Sequence, residues 1–92
     1  MSKAKEQLAR ESAIAEGLNP NTLLPFSSGW ERPAGEDMRI ILRMAGFTGS
    51  MAANYAGVEA RQIRRWVAGE PPATYAGWCL LVVAAGLGYI PQ

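Results

Sequence analysis

Three arginines within five positions, Arg61, Arg64 and Arg65, are the side chains of this sequence whose type and spacing point to a chemistry of recognition. A guanidinium stays charged and presents a planar fork of donors, which fits a phosphate or the O6/N7 edge of guanine; the same trio would also serve as a solvated helix face. The groups that reaction chemistry requires are scarce. The 92 residues contain no histidine and a single cysteine, Cys79. Histidine general bases, Cys/His zinc sites and an intrachain disulfide are thereby removed, so no metal, no cofactor and no enzymatic activity is expected. Cys79 lies in an apolar stretch with no cationic neighbour in sequence and reads as an inert buried thiol.

The net charge of +1 conceals an asymmetry. Residues 1–37 carry four basic and six acidic side chains, net −2, whereas residues 38–92 carry five basic and two acidic ones, net +3. All five of those cations are arginine: Arg39, Arg43, Arg61, Arg64 and Arg65.

A chain of this length falls below the roughly 150 residues of a typical domain and has one modest core to build. Hydrophobic residues at 49% and charged ones at 18% predict a folded protein, cut into short elements by six prolines and ten glycines. The start of the chain runs directly into charge at Lys3, Lys5 and Glu6, without the apolar core of a secretory signal, so a cytoplasmic location with a reduced thiol is expected.

Residues 1–17 read as a peripheral N-terminal helix, rich in helix formers from Lys3 to Glu16 and closed by Gly17, with a thin apolar stripe of Ala4, Leu8, Ile14 and Ala15. Residues 18–33 hold three prolines and predict an extended arm anchored at Leu23, Leu24, Phe26 and Trp30. Residues 34–92 then form the main domain. Glu36 and Asp37 place negative charge in a first helical turn, followed by Met38, Ile41, Leu42 and Ala45 at i, i+3, i+4 and i+7, while Arg39 and Arg43 share another face as surface charges or phosphate ligands. Gly46 ends that helix. Thr48 is positioned to cap a short helix closed by Gly57, and a further helix runs from about Ala60 to Val67 before Gly69, Pro71 and Pro72. The last stretch, Ala73–Ile90, contains eighteen residues without a charge. Gly86 and Gly88 limit its helix to about fourteen residues, or about 21 Å, too short for a hydrocarbon core of about 30 Å. A helix apolar on all sides is instead expected to meet its own core on one side and a second copy of the chain on the other, through Tyr75, Trp78, Leu80, Val83 and Leu87.

The informative motif lies between these elements. Ala53 is small where two helices must cross, Gly57 stands four positions later where a positive φ turns the chain, and Val58, Ile63 and Trp66 point back to a shared core. Glu59, Ala60, Arg61, Gln62, Arg64 and Arg65 are left facing outward. Glu59 can accept from cytosine or cap the second helix; Trp66 and Trp78 read as core anchors.

This arrangement resembles the helix-turn-helix of the phage-repressor (Cro-like, XRE) family, whose small, glycine and aliphatic positions are matched by Ala53, Gly57 and Ile63, over residues 36 to about 87. The Trp30-Glu31-Arg32-Pro33 segment is also similar to plasmid and phage repressors with a tryptophan and Arg-Pro before their first helix. The resemblance implies an all-α bundle of four to five short helices, and a homodimer that binds double-stranded DNA at an inverted-repeat operator and acts as a transcriptional repressor. By position it puts Ala60, Arg61 and Arg65 at base edges, with Arg64 beside them. Thr48, Gly49 and Ser50 match the family's phosphate contact at a helix N-terminus, to which Gln62, Arg39 and Arg43 are added. Where the family often has glutamine this chain has Gly49, which leaves Ser50 or the backbone to make that contact. The alternative on the same fold is an adaptor or antitoxin-like module that grips a partner protein.

Overall fold

The computed structural model describes residues 3–90, so the outermost positions of the expected 1–17 and 34–92 segments, residues 1, 2, 91 and 92, lie outside the described residues. The described residues form five α-helices: α1 (Lys3–Ala15), α2 (Gly35–Ala45), α3 (Gly49–Ala56), α4 (Ala60–Ala68) and α5 (Tyr75–Ala84). No strand occurs among the described residues. The all-α class follows from the short amphipathic segments and their glycine stops. Gly46, Gly57 and Gly69 take φ of +70°, +74° and +80° directly after α2, α3 and α4, the left-handed geometry that ends a helix without steric cost only at glycine.

α3 and α4 pack on each other, α4 also packs on α2, and α2 and α3 both rest on α5. The core runs through Met38, Ile40 and Ile41 of α2, Ala52 and Ala53 of α3, Ile63 and Trp66 of α4, and Trp78, Leu81 and Val82 of α5. Two glycines set the spacing around α4. A Cβ on Gly35 would stand 2.1 Å from the carbonyl oxygen of Val67, and one on Gly77 would stand 2.6 Å from the Trp66 ring. The backbones of α2 and α5 therefore approach α4 where only hydrogen fits.

The segment 18–33 is folded rather than extended. Pro20–Leu23 and Phe26–Ser28 form two short 3-10 turns, because the Asn19 side chain accepts from the Asn21 N–H at 3.0 Å and curls the chain, with Pro20 already set for a first turn. Leu18, Thr22, Leu23 and Pro33 are buried and Leu24 and Trp30 half-buried, but Phe26, expected as an anchor, is 66% exposed. Thr22 is the hub of the strap: its carbonyl accepts from the indole N–H of both Trp30 (3.0 Å) and Trp78 (2.8 Å). Asp37, 5% exposed, ties the strap to α2, accepting from the N–H of Ala34 at 2.8 Å and of Asn19 at 3.0 Å.

α1 also differs from its expected stripe. Leu8 is 64% and Ile14 40% exposed, and Ala4 and Ala15 are exposed too. The face turned inward is Glu6, Ala9, Arg10 and Ala13, again at i, i+3, i+4 and i+7. What it meets is the backbone beyond α5: Arg10 Nε donates to the Leu87 carbonyl at 2.8 Å, and Glu6 lies against Gly88. Carbonyl oxygens call for a guanidinium rather than for methyl groups.

α5 is shorter than expected. Thr74 Oγ1 accepts from the Gly77 N–H at 3.2 Å and fixes the start at Tyr75, and the helix stops at Ala84, ahead of Gly86 at φ +90°. No helix among the described residues is long and apolar enough to cross a membrane.

Candidate nucleic-acid interface

The pair α3–α4 is held as a unit from inside. Val58 N–H bonds to the Ala53 carbonyl at 3.0 Å across the Gly57 turn, and Ala52, Ala53, Ile63 and Trp66 are all at most 4% exposed. Gly49 sits against Ile63, its would-be Cβ 4.0 Å from the Ile63 Cγ2, which brings the start of α3 beside α4.

With Ile63 and Trp66 fixed inward, Arg61, Arg64 and Arg65 fall at i, i+3 and i+4 on the opposite face, and all three are exposed. Arg64 and Arg65 make no ion pair among the described residues. Arg61 stands 3.6 Å from the Glu59 carboxylate, a pair exposed at both ends that solvent screens strongly. Glu59 makes no capping bond with its side chain, so of its two expected roles the cap is not the one it takes here. Ala60 is half-buried against the core at the start of α4.

Thr48 caps α3 as its position suggested, Oγ1 accepting from the Met51 N–H at 3.2 Å. The N–H groups of Gly49 and Ser50, the first two of the helix, have no acceptor among the described residues. Ser50 is exposed and Gly49 half-buried. Such a terminus carries partial positive charge.

The other expected phosphate ligands lie elsewhere in the network. Arg39 pairs with Glu36 at 3.2 Å, and Arg43 pairs with Glu16, joining α2 to the end of α1. Both arginines remain more than half exposed, yet each already has a carboxylate partner. Gln62 is half-buried and lines a cavity beside Trp66, Trp30 and Arg32.

The expected dimer face divides in two. Leu80 (44%) and Val83 (41%) are exposed and, with Tyr75, Ala76, Cys79 and Tyr89, line a shallow apolar groove of about 380 Å³ along α5. Trp78 and Leu87 are fully buried within one chain and are removed from that face: Trp78 is locked to Thr22, and Leu87 is folded under by the turn that follows α5. Tyr89, 65% exposed, takes their place on it. Its sequence signal was an aromatic two residues beyond Leu87, past a glycine. Burial pushes the Cys79 thiol above its ordinary range, the neighbouring Tyr75 hydroxyl acting weakly the other way, which agrees with an unreactive thiol.

Gly35, Gly77, Thr22, Asp37 and Arg10 position this surface and were not singled out from sequence for these roles. Only Asp37 left a signal, a carboxylate three residues after the start of a helix, where it can reach back to the first free N–H groups.

No family model and no solved structure matches this chain. Two proteins of Escherichia coli, each named transcriptional repressor protein KorC, are similar to it: one is 48% identical over 64 residues, the other 42% identical over 64 residues. In both cases the match covers 66% of this chain and 75% of the relative. Neither name is that of an enzyme.

Proposed function

The chain belongs to the KorC family of transcriptional repressors, and from that premise we propose that it represses by binding double-stranded DNA in the manner of a phage-repressor helix-turn-helix. α4 enters the major groove and Arg61, Arg64 and Arg65 read base edges, guanine above all, while the free N–H groups of Gly49 and Ser50 hold a phosphate with Thr48 at their side. The protein acts in the cytoplasm as a homodimer joined along α5. Its operator is an inverted repeat with half-sites about 34 Å, or about 10 base pairs, apart.

The observation that carries this reading is the α4 face: two exposed arginines without an ionic partner among the described residues, and a third held by one exposed carboxylate, on a helix whose other side is fixed by Ile63 and Trp66. Arg39 and Arg43, by contrast, are each paired with a carboxylate, whereas Arg61, Arg64 and Arg65 share one face of one helix.

Fluorescence anisotropy with DNA from upstream of the gene and with a scrambled duplex tests it. The expected result is specific binding about 10³-fold tighter than to the scrambled duplex. Arg61→Ala and Arg65→Ala should each weaken specific binding by about 1–3 kcal/mol while leaving the fold intact. Specific binding that survives both substitutions unchanged would refute the assignment of α4. Copurification of a stoichiometric protein partner in that case would favour the adaptor.

A further inference from the structure

Beside α4 lies a cavity of about 320 Å³, at the small end of the range for ligand sites, whose wall includes Phe26, Trp30, Arg32, Gln62, Trp66 and Tyr75. Three of these pack on one another as an aromatic cluster. The rings of Trp30 and Tyr75 meet edge to face at 5.0 Å, those of Phe26 and Tyr75 at 5.3 Å, and those of Phe26 and Trp30 at 6.0 Å. The Phe26 N–H donates to the Tyr75 hydroxyl at 3.2 Å and ties the strap to the start of α5.

One polar side chain of the wall, Arg32, is unused by the fold, and the indole N–H of another lining residue, Trp66, is enclosed without a partner. The chain has three indoles, and Thr22 satisfies two of them, Trp30 and Trp78, through one carbonyl. The third, Trp66, is 2% exposed and its indole N–H has no acceptor. A buried indole N–H ordinarily finds a partner, since leaving one unmade forfeits its hydration without return. Arg32 is exposed and makes no ion pair among the described residues, while the adjacent Glu31 is already engaged with Asn19 and Asn21.

We propose that this cavity binds a small planar aromatic carboxylate. Trp30 and Tyr75 give the cavity an aromatic, apolar lining for the ring, and Arg32 supplies a guanidinium for the carboxylate. Gln62 and Trp66 belong to α4, so an occupant lies against the helix assigned above to DNA, a link that rests on that reading; binding itself does not.

The test follows the indole N–H signals of ¹⁵N-labelled protein by NMR during titration with indole-3-acetate, with indole-3-acetamide as the uncharged counterpart. Trp66 and Trp30 are expected to shift saturably, while Trp78, which does not line the cavity and is coupled to it only through the Thr22 carbonyl shared with Trp30, moves much less. The acetate should bind about tenfold more tightly than the acetamide, and Arg32→Gln should abolish that preference without moving the Trp78 signal. Equal shifts of all three indoles, or none up to about 10 mM, would overturn the proposal, as would equal binding of acetate and acetamide. No DNA enters the experiment, so its failure leaves the repressor reading standing.

Discussion

Gly35 and Gly77 show how much of this fold depends on side chains that are missing. Adding one methyl at Gly35 drives it into the Val67 carbonyl at 2.1 Å, and that oxygen belongs to the α4 backbone and cannot swing aside. Gly35→Ala should therefore lower stability by about 3 kcal/mol, the upper end of the overpacking range. Gly46→Ala, with nothing within 4 Å of the new methyl but a φ of +70°, should cost only about 1–2 kcal/mol. Urea midpoints of the two variants decide between them; equal losses would mean that α2 slides away from α4 at little cost. Cys79 gives a prediction in pH. Burial raises its thiol, and burial likewise raises the Tyr75 phenol beside it, against a smaller opposing effect of the Phe26 N–H. In both cases the folded chain holds the proton more tightly than the unfolded one. Their stabilisation is complete at neutral pH and is lost as pH climbs past the ordinary thiol range, so the thermal midpoint should be flat near neutrality and fall above about pH 9. Cys79→Ala should flatten part of that fall, and a midpoint that rises above pH 9 would contradict the sign.

At the scale of elements, the parts legible in the sequence are those in which a helix meets other helices through apolar side chains. The start of α3 at Thr48, its stop at Gly57 and the inward pair Ile63 and Trp66 follow from capping and 3.6-residue periodicity, and the structure has them. On α2 the same reasoning identified Met38 and Ile41 but passed over Ile40, which is 1% exposed: α2 packs on both α4 and α5 and so buries a wider arc than one helix neighbour would. It failed where the partner is backbone. No pattern of methyl groups announces that α1 docks through Arg10 onto the Leu87 carbonyl, or that the Thr22 carbonyl receives the Trp78 indole, since those bonds join positions 77 and 56 residues apart. The arrangement makes α1 a separable clamp. Arg10→Met keeps the apolar stem and removes the donors, and it should cost about 1 kcal/mol, the bonds being partly exposed. Hydrogen exchange of the Leu87 and Gly86 amides, which close the turn after α5, should accelerate while amides of α3 and α4 hold their rates. Uniform acceleration would mean that α1 is part of one cooperative core.

At the scale of the whole molecule, the question is what α5 does with the side it does not bury. Leu80, Val83 and Tyr89 leave an apolar groove exposed on a chain that carries three of its seven arginines on α4. Stable dimers bury about 800 Å² per partner, more than one face of a ten-residue helix provides by itself, so a pairing through α5 should be weak in free protein and strengthen when two half-sites hold the copies side by side. Leu80→Glu with Val83→Glu places like charges across a two-fold contact while leaving the α4 stripe untouched. The double variant should bind an isolated half-site as the parent does, yet bind the complete operator about 10²-fold more weakly. Salt dependence adds a check that affinity alone does not give. Each phosphate neutralised contributes about 0.9 to the slope of log K against log salt, so losing one copy of the pair should halve the slope on the full operator. If the slope and the affinity both stay at parental values, the two copies meet through some surface other than α5, and the groove must be assigned to a different partner.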